Sequence, residues 1–339
     1  MTNEVECFSV RAAAVLTLTS LLVGCLSSGA GAQASAAPTM LFAQPSLDGI
    51  VDNFFVPAAE HRPPRVGIFT LILWQPNPNQ QDGKLVPTDW SAGERTGFYP
   101  SVPLARHQAG FRDVPGTSTV QADGDTVGAY INSADLPTGS HQFKMMITPQ
   151  IIFAPPDQVR PYEQAGRAVV VSLELQVPTA VDGHNDGSDT YVSADLVFVD
   201  RNRSTKISYG CNLFFNGHPH RRPVGNIALD LDTQNMMINS AVGWQHDWLT
   251  ALGSSAVSQS APWKGWKAFN FAITENNFVS ALAALNQKNP GVHASVNAAD
   301  YTLVQFHLNA ELHFKTSAAE LGWSMRRAKI EITDAALVH

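Results

Sequence analysis

The stretch VQFHLNAELHF, residues 304–314, alternates apolar and polar side chains from end to end. Val304, Phe306, Leu308, Ala310, Leu312 and Phe314 fall on one side; Gln305, His307, Asn309, Glu311 and His313 fall on the other. A period of two marks a β-strand with one buried face. Thr is a common strand residue, yet the polar side has neither Thr nor Lys. It carries one carboxylate, two imidazoles and two amides, groups that accept hydrogen bonds from hydroxyls and donate to them. The face therefore reads as a binding surface for a hydroxyl-rich ligand. The plainer alternative is a sheet face that is merely wet.

Strand signals recur along the chain. Apolar or alternating runs occupy residues 65–74, 141–153, 168–177, 191–199, 206–215, 226–232, 236–242, 267–274 and 322–333. Turn residues separate them, among them Asp182-Gly183, Asn216-Gly217 and Asp232-Thr233-Gln234-Asn235. Such a series argues for an all-β sandwich or barrel. One short helix is expected near the C-terminus. The stretch Thr274-Glu275-Asn276-Asn277 can cap it, Phe278, Leu282 and Leu285 recur at helical spacing, and Asn289-Pro290-Gly291 stops it. The chain has 339 residues, 44% of them hydrophobic, enough to bury a sizeable core in one large domain.

The organisation read from the sequence is a signal peptide over 1–24, an Ala/Gly/Ser tether over 25–40, and a single β-sandwich domain over 41–339. Arg11 precedes the apolar run Ala12–Val23, too short to span a bilayer but suited to the core of an export signal. The run ends in Leu22-Val23-Gly24-Cys25, a bacterial lipobox in which Cys25 becomes the lipidated N-terminus. The expected location is then the outer membrane or cell surface, with membrane contact only through the lipid. A rival site, Ala30-Gly31-Ala32, would release a soluble periplasmic or extracellular protein on cleavage at Ala32. A net charge of −7 and the lack of long basic runs exclude nucleic acid as a partner class. With Cys7 and Cys25 assigned to the leader and its processing site, Cys211 has no disulfide partner and reads as a small buried hydrophobe.

The period-two test also picks out acids on other strands: Glu174 beside Ser172 and Gln176, Asp195 beside Tyr191 and Ser193, and Asp230 beside Asn226 and Asp232. If these strands neighbour residues 304–314 in one sheet, Glu174, Asp195, Asp230 and Glu311 share a polar concave face. Four tryptophans are candidate sugar-stacking platforms: Trp244 and Trp248 in one loop, Trp263 and Trp266 in the next. Metal ligation has little support. The loop holding Asp182, Asp186 and Asp189 has Ser193 where an EF-hand needs Glu, so a structural calcium is the only cofactor weighed, and a plain Asx turn is preferred. His218-Pro219-His220 offers two imidazoles and no third ligand. Neither G-x-S-x-G nor H-E-x-x-H occurs.

The helix ITENNFVSALAAL, the strand ADYTLVQFHLNAELHF and the closing strand SMRRAKIEI together resemble the tail of glycoside hydrolase family 12, over roughly residues 270–333. That family comprises jelly-roll endoglucanases and xyloglucanases, so the resemblance carried by residues 270–333 implies an all-β, antiparallel β-sandwich of jelly-roll, concanavalin-like type. The resemblance implies that Glu311 is the general acid/base, ten residues after Tyr301, an interval one residue longer than in the family. The family's nucleophile Glu has no counterpart: SYGCNLFF offers Gly210, Cys211 and Asn212 instead. Glu174, Asp195 or Asp230 is then the expected second acid, with Glu311 raised in pKa as proton donor. Gln305, His307, Asn309 and His313 are expected to hold sugar hydroxyls. The expected function is an exported, carbohydrate-active sandwich that binds, and as an enzyme would hydrolyse, a β-glucan-like polysaccharide. The alternative is a non-catalytic surface lipoprotein module that binds glycan or a protein partner.

Overall fold

The computed structural model describes residues 37–43, 73–76, 85–87, 98–100, 108–113, 118–123, 125–135, 142–153, 158–181, 189–217, 226–229, 236–243 and 248–338. The leader, Cys25, Ala32, Asp230, Trp244 and the pair His218/His220 lie outside the described residues.

In chain order the strands are β1 (Thr39–Ala43), β2 (Leu73–Pro76), β3 (Leu85–Pro87), β4 (Phe98–Pro100), β5 (Gln108–Asp113), β6 (Thr119–Asp123), β7 (Thr126–Asn132), β8 (Gln142–Ile152), β9 (Arg167–Val181), β10 (Asp189–Asp200), β11 (Lys206–Gly217), β12 (Asn226–Leu229), β13 (Met236–Ala241), β14 (Thr250–Ala251) and β15 (Trp263–Thr274). Helix α1 (Glu275–Lys288) follows, then β16 (Tyr301–Phe314) and β17 (Glu320–Asp334). Among the described residues they form two sheets. The first runs β14-β15-β9-β17-β7-β6-β5-β4, with β1 added to β17. The second runs β12-β13-β11-β10-β16-β8-β2-β3. Pairings are antiparallel except for β11 with β13, which is parallel. The expected all-β sandwich with one helix is what forms.

Alternation explains how the sheets meet. On β9, Val169, Val171, Leu173, Leu175 and Val177 face inward; on β10, Val192, Ala194, Leu196 and Phe198 do. These belong to one continuous core together with Phe306, Leu308, Ala310 and Leu312 of β16. Each fully buried Val, Leu or Phe stabilises by about 1.5–3 kcal/mol, so the core carries the fold with no disulfide among the described residues. Cys211 is buried within it.

The opening alternation fails at its first residue. β16 bulges against β10, where Gln305 faces Val197 but Leu303 faces Phe198, leaving Val304 as the extra residue. Leu303 is therefore fully buried, while Val304 is only half-buried. From Phe306 onward the pattern holds.

Helix α1 begins as its sequence dictates. The Thr274 side chain accepts from the Asn277 backbone at 3.1 Å, and the Asn277 side chain accepts from the Thr274 backbone at 3.0 Å, a reciprocal cap. Phe278, Ala281, Leu282 and Leu285 form its buried face. The Asn289 backbone closes the helix on Leu285 O at 2.9 Å, before Pro290.

Candidate functional site

The second sheet turns its polar side away from the core, and β16 lies near its centre. Register places Glu311 opposite Tyr191, Asn309 opposite Ser193, and His307 opposite Asp195. On the far side of β10, Ser193 faces Asn212 and Asp195 faces Gly210, which in turn faces Asn239 of β13. Four adjacent strands thus contribute to one polar surface. The surface is deep-set rather than wet: Glu311 is 9% exposed, His307 7%, Asn309 5% and Asp195 3%.

Buried polar groups are costly unless hydrogen-bonded, and these bond one another. Glu311 accepts from Asn309 Nδ2 on Oε1 at 2.8 Å, from His313 Nε2 on Oε2 at 2.9 Å, and from the Tyr191 hydroxyl. A second group surrounds Asp195, whose Oδ2 accepts from Ser193 Oγ at 3.0 Å and lies 3.2 Å from His307 Nε2. His307 Nδ1 lies 2.8 Å from Gln305 Nε2. The surface therefore holds two carboxylate–imidazole pairs, with Asn309 between them.

Glu311 is not the raised-pKa acid expected from sequence. Burial pushes its carboxyl up, but hydrogen bonds from His313, Tyr191 and Asn309, with the charge of His313, hold it below the ordinary carboxylate range. Burial pushes His313 down, but the Glu311 hydrogen bond and the charges of Glu311 and Asp189 raise it overall. The sign of the linkage follows. A depressed Glu311 stabilises the fold above its unfolded value of 4.5, and a raised His313 stabilises it below its unfolded value of 6.5. Both contributions are complete only between those values. One fades as pH falls through the folded pKa of Glu311, the other as pH rises through that of His313. The melting-temperature gap between wild type and His313→Gln is thus expected to be widest at mildly acidic pH and to narrow toward pH 8. A gap that widens from mild acid to alkali would refute the pairing.

The structure separates some residues expected to share this face. Glu174 lies on β9 of the other sheet, where Arg326 Nε at 2.6 Å and Arg327 Nη1 at 2.8 Å bind it. Asp195 does share the face, but register sets it four positions along β10 from the residue opposite Glu311. At about 3.3 Å per residue that is about 13 Å, beyond the carboxylate spacing of glycoside hydrolysis, at most about 9.5 Å. Trp263 and Trp266 lie not in a loop but on β15 of the other sheet. Trp263 packs on Phe214 and Phe269 and donates from Nε1 to Leu175 O at 3.3 Å. Trp266 lies under the Arg326 guanidinium, 4.2 Å from ring centroid to Cζ. Trp248 is half-buried against the core.

Two members of the site are not read as part of this face from the sequence, where Asp189 is weighed only as a calcium-loop acid. Asp189 begins β10 opposite His313 and stands diagonal to Glu311. The alternation Asp189, Tyr191, Ser193, Asp195 identifies it, but the Asx-rich turn just before it concealed the start of the strand. Asn239 was legible in the alternation of Met236, Ile238 and Ser240 as buried residues with Met237 and Asn239 between them.

No family model matches the chain, and no curated protein matches it. Solved structures do. A family 12 xyloglucanase from Bacillus licheniformis, in complex with ligand, matches at 10% identity and a TM-score of 0.36, covering 69% of this chain and 98% of the other. The xyloglucanase domain of a type three effector from Sinorhizobium fredii, in complex with cellobiose, matches at 10% identity and a TM-score of 0.31, covering 69% and 95%. A family 11 xylanase from Neocallimastix patriciarum matches at 11% identity and 0.29, covering 70% and 95%. At these scores the likeness assigns no role to any residue here.

Proposed function

We propose that this chain binds a polysaccharide, a neutral or weakly charged β-glucan-like chain, along the polar face centred on Asn309. The observation that carries this reading is a hydrogen-bonding surface built across four strands, with Asp195, His307, Asn309 and Glu311 at least nine-tenths buried, in which one acceptor stays open. Asn309 Oδ1 is buried and accepts from no donor among the described residues. A structural polar network closes on itself; a binding surface keeps acceptors for its ligand.

Affinity electrophoresis and calorimetry on a panel of β-glucans test it. Wild type is expected to bind at least one. Glu311→Ala, which removes a charged acceptor, is expected to weaken binding by about 10- to 100-fold, the equivalent of a charged hydrogen bond of roughly 1.5–3 kcal/mol. A folded wild type that binds none of the panel would sink the proposal.

One observation favours hydrolysis as a second reading. Diagonal neighbours on paired strands lie about 7–8 Å apart, and Asp189 is the diagonal neighbour of Glu311. That spacing suits two carboxyl groups with a water between them. Against it, Glu311 is held ionised and so is poorly placed to give up a proton. Release of reducing ends from the same panel, lost in Asp189→Asn, would establish catalysis; binding without release would leave a lectin-like surface.

A further inference from the structure

Asn309 Oδ1 sits between two carboxylates. Glu311 is two residues along the same strand, and Asp195 is diagonal to Asn309, because Ser193 lies directly opposite. The donors nearest to it are already engaged. Asn309 Nδ2 donates to Glu311, and Ser193 Oγ donates to Asp195. What remains open at the centre is an acceptor with an acid on each side. Three carboxylates, Asp189, Asp195 and Glu311, share this face with two imidazoles, His307 and His313. Among the described residues the lysine on the same face, Lys206, stands exposed at the start of β11, four positions from Gly210. Arg326 and Arg327 belong to the other sheet. Among the described residues the centre holds no lysine or arginine, and its imidazoles are already paired with the acids, His313 with Glu311 and His307 with Asp195.

We infer that the group this face is built to take is the protonated amine of an amino-sugar polymer, such as a de-N-acetylated β-glycan, seated on Asn309 Oδ1 between Glu311 and Asp195. The inference rests on the reading of the face as a glycan site and names the class of glycan. A sugar hydroxyl would supply one hydrogen to Oδ1 and no charge. An ammonium supplies three hydrogens and a positive charge, so it answers the open acceptor directly and gains from the field of the acids on either side. Uronate polymers would bring like charge to the acids and are disfavoured.

The test uses the mature chain and four tetrasaccharides of matched length: a glucosamine oligomer, its N-acetylated form, a cello-oligosaccharide and a galacturonate oligomer. Titration calorimetry is run at a pH where the amine is protonated. The glucosamine oligomer is expected to bind about tenfold more tightly than the neutral chains, the difference between a charged and a neutral hydrogen bond. Added salt is expected to erode that preference, and the galacturonate oligomer to bind least. Asn309→Ala should lower the preference, and Asn309→Asp, which keeps the shape and adds charge, should raise it. If Asn309→Ala does not fold, the ligand comparison on wild type still decides. Neutral chains that bind as tightly as the glucosamine oligomer, or more tightly, would overturn this inference and leave the glycan site standing. If none of the four binds, and no β-glucan does, both fall together.

Discussion

Phe278→Ala is expected to cost about 3–5 kcal/mol of stability, the usual range for deleting a fully buried ring. Phe278 is the ring through which α1 joins the second sheet. Its centroid lies 4.7 Å from Phe198 of β10, 5.6 Å from Tyr209 of β11, 5.1 Å from Tyr301 of β16, and 5.1 Å from Tyr162. Tyr162 and Tyr209 are tied by their hydroxyls to Ile273 O and Trp248 O, which limits collapse into the void. Chemical denaturation should show a lower midpoint with an unchanged slope. A loss under about 1 kcal/mol would mean that the helix is peripheral to the core.

The second large effect is expected at Gly210. Glycine in a strand interior normally weakens it, so Gly→Ala there is ordinarily neutral or favourable. Here an added Cβ would lie 2.2 Å from Asp195 Oδ1 and 2.6 Å from Asn239 Oδ1. Neither side chain is long enough to swing clear cheaply, and Asp195 would have to leave Ser193 and His307. Sterics therefore win over propensity. Gly210→Ala is expected to destabilise by about 1–3 kcal/mol and to weaken the proposed glycan binding as Asp195 is displaced. The double variant Gly210→Ala/Asp195→Ala should regain stability but not binding. A single variant more stable than wild type would show that the carboxylate does not lie over Gly210.

This glycine also shows where sequence reading stops. SYGCNLFF contains no acid, and none could have been read there. The structure fills the space beside Gly210 with a carboxylate from the neighbouring strand. Alternation tells which residues of one strand share a face. It says nothing about which strands lie side by side, so Glu174 and Asp195 read alike although they sit on different sheets. The long strands β8–β11 and β15–β17, and the capped helix, were legible because period and capping are local properties. The short strands β5–β7 were not, since Gly110, Gly128 and Asp123 dilute their apolar pattern. Val304 misled for the same reason as Glu174: a bulge depends on the partner strand. Five members of the site, Gln305, His307, Asn309, Glu311 and His313, could be read because they lie on one strand.

The pairing of β1 with β17 has a consequence for the order in which the chain is completed. β7 covers β17 from Glu320 to Arg326, and β1 covers it from Lys329 to Ile332, so the same edge is shared by an early and a middle segment. β1 has no template until the ribosome has made nearly the whole chain, since Thr39 pairs with Ile332. Contacts between such distant positions form late and slowly. Throughout synthesis β1 is therefore a strand without a partner edge, and the sheet on that side is complete only when the last strand has emerged.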